Sequence, residues 1–264
     1  MNDTDRAAAA LLWRHWQAGS KLAALPDGLR PHDRAAGYAV QACLPAVGER
    51  MVVGWKIAAT SLAGQRHIGV DGPLAGRVLS GQVDADGASV PLAGNGMCVA
   101  EPEFAFRFGV DLPPQAVPYA EPEVLDAVDS LHLAIEIPDS RYVDFARAGQ
   151  AQLLADDACA HRFVLGPAAP APWRNLDLAG HVVVGRVFDA NGCRCTREGI
   201  GRNVLGDPRA ALVWLVNELS SLNLPLRAGE WVSTGTCMVP LEVRPGDAVR
   251  VDYGVLGEVS LRFT

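Results

Sequence analysis

The sequence predicts an α+β protein, with a mainly helical region over residues 1–75 followed by a β-rich region over residues 76–264 that carries the chemistry. Three observations predict it. Apolar residues recur at helical spacing in the first 45 or so positions, and from Arg77 onward they alternate in short runs. The 27 Gly and 18 Pro among 264 residues demand many turns. At 49% apolar the chain can bury a sizeable core, as one large domain or two unequal ones. A net charge of −7 with no basic stripe argues against nucleic-acid or anionic-membrane partners. Six cysteines form no C-x-x-C pair, and no His cluster follows Cys193 and Cys195, so reduced thiols in a cytoplasmic protein are expected rather than a zinc site. The sequence offers no signal peptide and no apolar span of about 20 residues.

Taken in order, residues 5–18 read as an amphipathic helix, with Ala8, Leu12 and Trp16 four apart and Gly19 as the stop. Pro31 and Asp33 announce a second helix to Leu44, just before Pro45. Met51–Ile57 is a short strand, Ser61 caps a helix through His67, and Gly69-Val-Asp-Gly-Pro73 is a turn. Strands are expected at 89–92 and 98–108, and loops at 113–118 and 167–172. Pro122 starts a helix with apolar positions Val124, Ala127, Val128 and Leu131, after which a strand turns Leu131, Leu133, Ile135 and Ile137 one way and Glu136 the other. Asn191-Gly192 signals a type I′ hairpin. Asp207-Pro208 opens a helix through Leu222, and the chain ends strand–turn–strand about Gly257.

The chemistry is expected in Val99-Ala-Glu-Pro-Glu-Phe-Ala-Phe-Arg-Phe108. As a strand it turns Phe104, Phe106 and Phe108 to one face and Glu101 and Glu103, one pleat apart, to the other. Two carboxylates that close call for a positive partner, a divalent metal being one, unless both simply face water. Lys56, in Gly54-Trp-Lys-Ile57, either snorkels to the surface or is buried beside a carboxylate. Spacing alone favours the surface course. Asp71 sits in a Gly-rich turn, where Asp is common for turn reasons.

In this order, Gly-Trp-Lys-Ile-Ala-Ala-Thr-Ser (54–61), Gly-Val-Asp-Gly-Pro (69–73), Glu-Pro-Glu-Phe-Ala-Phe (101–106) and Ala-Ile-Glu-Ile-Pro-Asp-Ser-Arg (134–141) resemble the 2-keto-4-pentenoate hydratase and 4-oxalocrotonate decarboxylase family of the fumarylacetoacetate hydrolase superfamily. The run 206–215 and the ending 251–263 fit it too. The resemblance implies a mixed β-roll or sandwich of the superfamily's C-terminal type behind an N-terminal helical layer. It implies Mg²⁺ or Mn²⁺ on Glu101, Glu103 and Glu136, with Lys56 and Asp71 in proton transfer. Arg141, Ser233 and Thr234 would lie against a small-molecule 2-oxo or 2-hydroxydienoic acid, and the chain would assemble as a homo-oligomer. For Arg141 a salt bridge within the chain, and for Thr234 a plain strand role, stay open.

The implied reaction is hydration of a 2-hydroxypenta-2,4-dienoate-type acid to a 4-hydroxy-2-oxo acid in aromatic catabolism. A decarboxylase on the same scaffold and a catalytically silent metal-binding paralogue are the alternatives. An acylpyruvate hydrolase fits less well, since residues 60–100 hold no His–Glu pairing. Four departures bear on the substrate. Leu74 stands where the family often has an acid and Ala75 where it often has an aromatic. Asp157 replaces an Asn, and His161-Arg162 replace small or apolar residues. His161 is open between a new polar contact and a surface residue.

Overall fold

The computed structural model describes residues 2–170 and 172–264. The expected loop over 167–172 therefore includes one residue, Ala171, outside the described residues.

Helix α1 (Asp3–Ala18) is capped by Asn2, whose side chain accepts from the Asp5 N–H at 2.8 Å, and ends on Gly19 in the left-handed region. Helix α2 (Arg34–Gln41) is capped by Asp33. The helix expected to run on to Leu44 is two: the chain breaks after Gln41 and restarts as α3 (Leu44–Gly48). Pro45 falls in the first turn of α3, where a missing N–H leaves no bond unmade. Strand β1 (Val52–Ala58) and helix α4 (Leu62–Ile68) follow, the latter capped by Ser61 through the Gly64 N–H at 3.0 Å.

Strands β2 (Leu74–Leu79), β3 (Val83–Ala85), β4 (Ser89–Val90) and β5 (Val99–Phe108) come next, then α5 (Glu121–Asp126) and β6 (Val128–Ile137). Val128, expected in the helix, belongs to β6 instead, as does Leu131, which was expected both at the end of the helix and at the start of the strand. Residues Val128–Glu136 pair with β5, and that pairing outweighs the helical spacing. Helix α6 (Gln150–Ala155) leads to β7 (Arg162–Ala168) and the hairpin β8 (Val182–Asp189)–β9 (Gly192–Ile200). Its turn residues are Ala190 and Asn191, one position earlier than the Asn-Gly signal. Asp189 Oδ1 accepts the Asn191 N–H at 2.7 Å, and Asn191 keeps a negative φ, so the turn is not type I′. Helix α7 (Pro208–Ser221), capped by Asp207, precedes β10 (Trp231–Thr236), β11 (Leu241–Glu242), β12 (Ala248–Asp252) and β13 (Glu258–Phe263).

Two mixed sheets result, the α+β arrangement expected. The larger runs β2-β1-β10-β5-β6-β7-β3, with β11 alongside β5, and the smaller runs β4-β13-β12-β8-β9. The larger sheet crosses residue 75, because β1 lies inside it between β2 and β10. Phe104, Phe106 and Phe108 face the main core with Leu131, Leu133 and Ile135, joined by α7 and by Val259, Leu261 and Phe263 of the smaller sheet. Residues of α1–α3 form a separate small core with Tyr142 and Ala155. Among the described residues no helix is long and apolar enough to cross a membrane, and all six cysteines are free.

Candidate active site

The register of β5 against β6 builds the site. Glu101 stands directly opposite Glu136, and Glu103 is one pleat further along on the same face. Ligand oxygens of the three lie within 4.8 Å of one another. Glu103 and Glu136 are 0% and 2% exposed, so the water-facing alternative is excluded for them. Ser233 Oγ and the Gly235 N–H, the latter at 3.0 Å, both donate to Glu103 Oε2. Lys56 Nζ lies 3.0 Å from Glu136 Oε1. Glu103 Oε1 and Glu136 Oε2 are buried and have no partner among the described residues.

Buried carboxylate oxygens without donors are costly unless a cation meets them. One ammonium facing three carboxylates, with two oxygens left over, suits a divalent ion that prefers oxygen ligands. Protonation is the other relief. Burial, and next the Glu136 charge, push Glu101 up to about 7, and burial with both neighbours pushes Glu103 well above the usual carboxylate range. A bound cation inverts that balance.

Lys56 is 3% exposed, which overturns the surface course that spacing favoured. Burial works against its ammonium, but Glu136 and then Glu101 and Glu103 outweigh it and hold its pKa above the ordinary lysine value. Its Nζ also donates to the Ala158 carbonyl at 3.0 Å. That carbonyl belongs to a turn in which Asp157, Ala158 and Cys159 all have left-handed φ of 55°, 51° and 63°. Non-glycine residues there are strained and need external support. Asp157 Oδ1 supplies it by accepting the Arg77 N–H at 2.7 Å, and Asp156 by accepting from Ser140 Oγ at 2.7 Å and from Arg141. Gly76 makes room, since a Cβ there would lie 2.4 Å from the Asp157 carbonyl.

Arg141 is held by its own chain. It is 2% exposed, and its donors go to the Asp156 carboxylate and carbonyl, to the Asp139 carbonyl at 3.1 Å and to the Ala160 carbonyl at 2.8 Å. The guanidinium ties the strained turn to the chain, the alternative left open for it. Removing one partner of a buried pair leaves an uncompensated charge, so Arg141→Met is expected to destabilise by about 3–5 kcal/mol in urea unfolding. A loss under 1 kcal/mol would contradict this role.

Thr234 is fully buried and bonds the Phe104 carbonyl at 3.1 Å, the strand role left open for it. Asp71 is exposed in the turn between α4 and β2 and makes no hydrogen bond or ion pair among the described residues. The structure thus brings together Lys56, Glu101, Glu103, Glu136 and Ser233, and leaves Asp71 outside. Leu74 and Ala75 are both fully buried in β2.

Three contributors went unassigned in the sequence. Tyr253 OH donates to the Glu103 carbonyl at 2.9 Å and the Ala134 carbonyl at 3.1 Å, pinning β5 to β6 beside the carboxylates. Its Asp-Tyr-Gly setting was visible but carried no chemistry of its own. Asp156 was visible only as the first residue of the Asp156-Asp157-Ala158 segment, with no role attached, and Gln82 gave no signal. His161, open in the sequence, lies near the site: its ring is 5.8 Å from Trp16, and burial, then Arg141, lowers its pKa to about 4. Because the folded state disfavours the proton, the stability tied to neutral His161 is full above about 6.5 and is lost as pH falls toward 4. His161→Phe is therefore expected to flatten the stability–pH curve between those values, read by thermal melts of both proteins. Parallel curves would rule this out.

No family model matches the chain. It is 33% identical over 260 residues to a 2-keto-4-pentenoate hydratase of Paraburkholderia xenovorans, covering 97% of this chain and 93% of that protein. It is 31% identical to a 4-oxalocrotonate decarboxylase of Pseudomonas putida, over 80% of this chain and 77% of that one. Among solved structures, the 4-oxalocrotonate decarboxylase from Pseudomonas putida G7, complexed with magnesium and adipate, superposes with a TM-score of 0.88 at 26% identity, covering 100% of this chain and 98% of that one.

Proposed function

This chain belongs to the 2-keto-4-pentenoate hydratase family, and we propose that it adds water to 2-hydroxypenta-2,4-dienoate-type acids, giving 4-hydroxy-2-oxo acids in aromatic catabolism. The observation that carries the reading is the triad Glu101, Glu103 and Glu136, the last two buried, with two oxygens unpartnered among the described residues. These three residues would hold Mg²⁺ or Mn²⁺, and magnesium is present in the decarboxylase neighbour. Bound there, the ion would supply Lewis acidity toward a 2-oxo acid.

The chain's own groups do the rest. Ser233 and Gly235 fix Glu103, and Tyr253 fixes the strands beneath it. Among the described residues Lys56 is the one ammonium at the carboxylates and the natural proton donor, first to the terminal vinyl carbon and later, having regained the proton that the 2-hydroxyl loses on ketonisation, to C3. Asp71 enters only as a second acid–base group, if the turn at 69–73 carries it toward bound substrate. The reading brings with it a cytoplasmic homo-oligomer.

A decarboxylase is the second reading, because a relative and a structural neighbour both carry that activity in their names. The relative of greater identity and coverage is a hydratase. The test is to incubate Mg²⁺-loaded protein separately with 2-hydroxypenta-2,4-dienoate and with a 4-oxalocrotonate-type dicarboxylate. The 4-hydroxy-2-oxo product by NMR supports the hydratase. Release of CO₂ alone supports the decarboxylase, and metal binding with no turnover a silent paralogue.

A further inference from the structure

Next to the carboxylates lies a small cavity of about 10 Å³, lined by Lys56, Gln82, Glu136, His161 and Arg162 among others. That is room for about one water molecule, provided polar partners are present. Gln82 is 7% exposed; its Oε1 accepts the Leu79 N–H, and its Nε2, a donor only, is buried with no partner among the described residues. His161 Nδ1 is likewise buried without a partner. Lys56 gives its Nζ to Glu136 and Ala158, which leaves one N–H of three. Arg162 Nη1 is engaged by Asp84 at 3.1 Å. Glu136 Oε2 is the oxygen already given to the metal; with the imidazole proton assigned to Nε2, the cavity then offers two unmet donors, from Gln82 and Lys56, and one unmet acceptor, His161 Nδ1. A carboxylate could take the two donors but has no proton for the imidazole. A water matches all three, and once Lys56 has given its third N–H proton to the terminal carbon of the substrate, one lone pair of that water is released for bond formation.

We propose that this cavity seats the water consumed in the hydration, with Gln82 positioning it and His161 taking its proton. The inference rests on the hydratase reading. Once the terminal carbon is protonated, C3=C4 is conjugated to the C2 carbonyl. The water oxygen forms the C4–O bond, the C3=C4 π pair moves toward the C2 oxygen, and one water proton passes to His161 Nδ1. The imidazolium gives up that proton as C3 gains one, so the balance is a single added water and a neutral His161. His161 is then a catalytic residue, in contact with the reacting water, and Gln82 a positioning residue.

Three measurements on Mn²⁺-loaded His161→Phe and Gln82→Met separate this from a structural role. They are the hydration rate, the exchange of solvent deuterium into C5 of the dienol substrate, and Mn²⁺ affinity. Exchange needs the proton donor and the metal but not the attacking water. Hydration is expected to fall about 100-fold in His161→Phe and about tenfold in Gln82→Met, with exchange and Mn²⁺ affinity within about threefold of wild type. The two unchanged readouts also certify that the variants are folded. Hydration at wild-type rate in both variants overturns the water seat, as does a parallel fall in hydration and exchange. A wild type that exchanges deuterium but never hydrates overturns the hydratase reading, and the water seat with it.

Discussion

Glu103→Gln is expected to keep the fold and abolish both metal response and turnover. The amide oxygen of Gln can accept from Ser233 and Gly235 as Glu103 Oε2 does, so the site keeps its shape. The amide nitrogen then occupies the position of the unpartnered Oε1 and presents N–H donors where a cation requires lone pairs. Glu103 is fully buried, so removing its charge also removes a desolvation cost, and the metal-free variant should melt no lower than wild type. Wild type with Mg²⁺ at about 100 times its Kd should gain about 2.7 kcal/mol, or about 5–10 °C in Tm for a chain of this size. The variant should gain nothing measurable, and its kcat/KM should drop at least ~1000-fold, or ~4 kcal/mol of transition-state stabilisation. Calorimetric titration and melts with and without metal check the first part, and a dienoate assay the second. A variant that still gains stability from Mg²⁺ would remove the triad as the metal site.

Lys56→Met separates proton transfer from metal binding. Without metal, the variant leaves Glu136 buried beside two other carboxylates with no cation, and a loss of about 3–5 kcal/mol is expected. With metal the picture reverses. The ion compensates the carboxylates, and no ammonium competes with it, so affinity should hold or rise. Turnover should nevertheless fall about 100- to 10,000-fold, the range for loss of a positioned acid–base group. Metal titration, melts with and without metal, and kcat measure the three effects. Turnover within tenfold of wild type, or loss of metal binding, would reduce Lys56 to a structural counter-ion.

Much of the fold was legible because it is written in short-range patterns. The helix over 5–18, the caps at Asp33, Ser61 and Asp207, and the alternation through 99–108 and 131–137 each depend on neighbours within a few residues. Where the reading slipped, a longer-range partner decided. Val128 and Leu131 had helical spacing but were claimed by β5. The hairpin signal at Asn191-Gly192 was displaced by the Asp189 side chain and the pairing of β8 with β9. The triad was legible as residue types in order. Lys56 was misjudged on spacing and Arg141 left open, because a charged side chain's course depends on which carboxylates the fold sets beside it.

The sequence by itself determined which strands carry carboxylates, that Glu101 and Glu103 share one face, and that the opposite face is aromatic core. A two-residue period fixes that without reference to any other part of the chain. Only the tertiary structure decided that Glu136 meets them, that Lys56 turns inward, and that Arg141 serves the turn at 157–159 while Asp71 stays in solvent. Those outcomes rest on strand register and on burial. Both are properties of residues far apart in the chain, and the cost of leaving a buried charge unpaired selects among the arrangements local spacing permits.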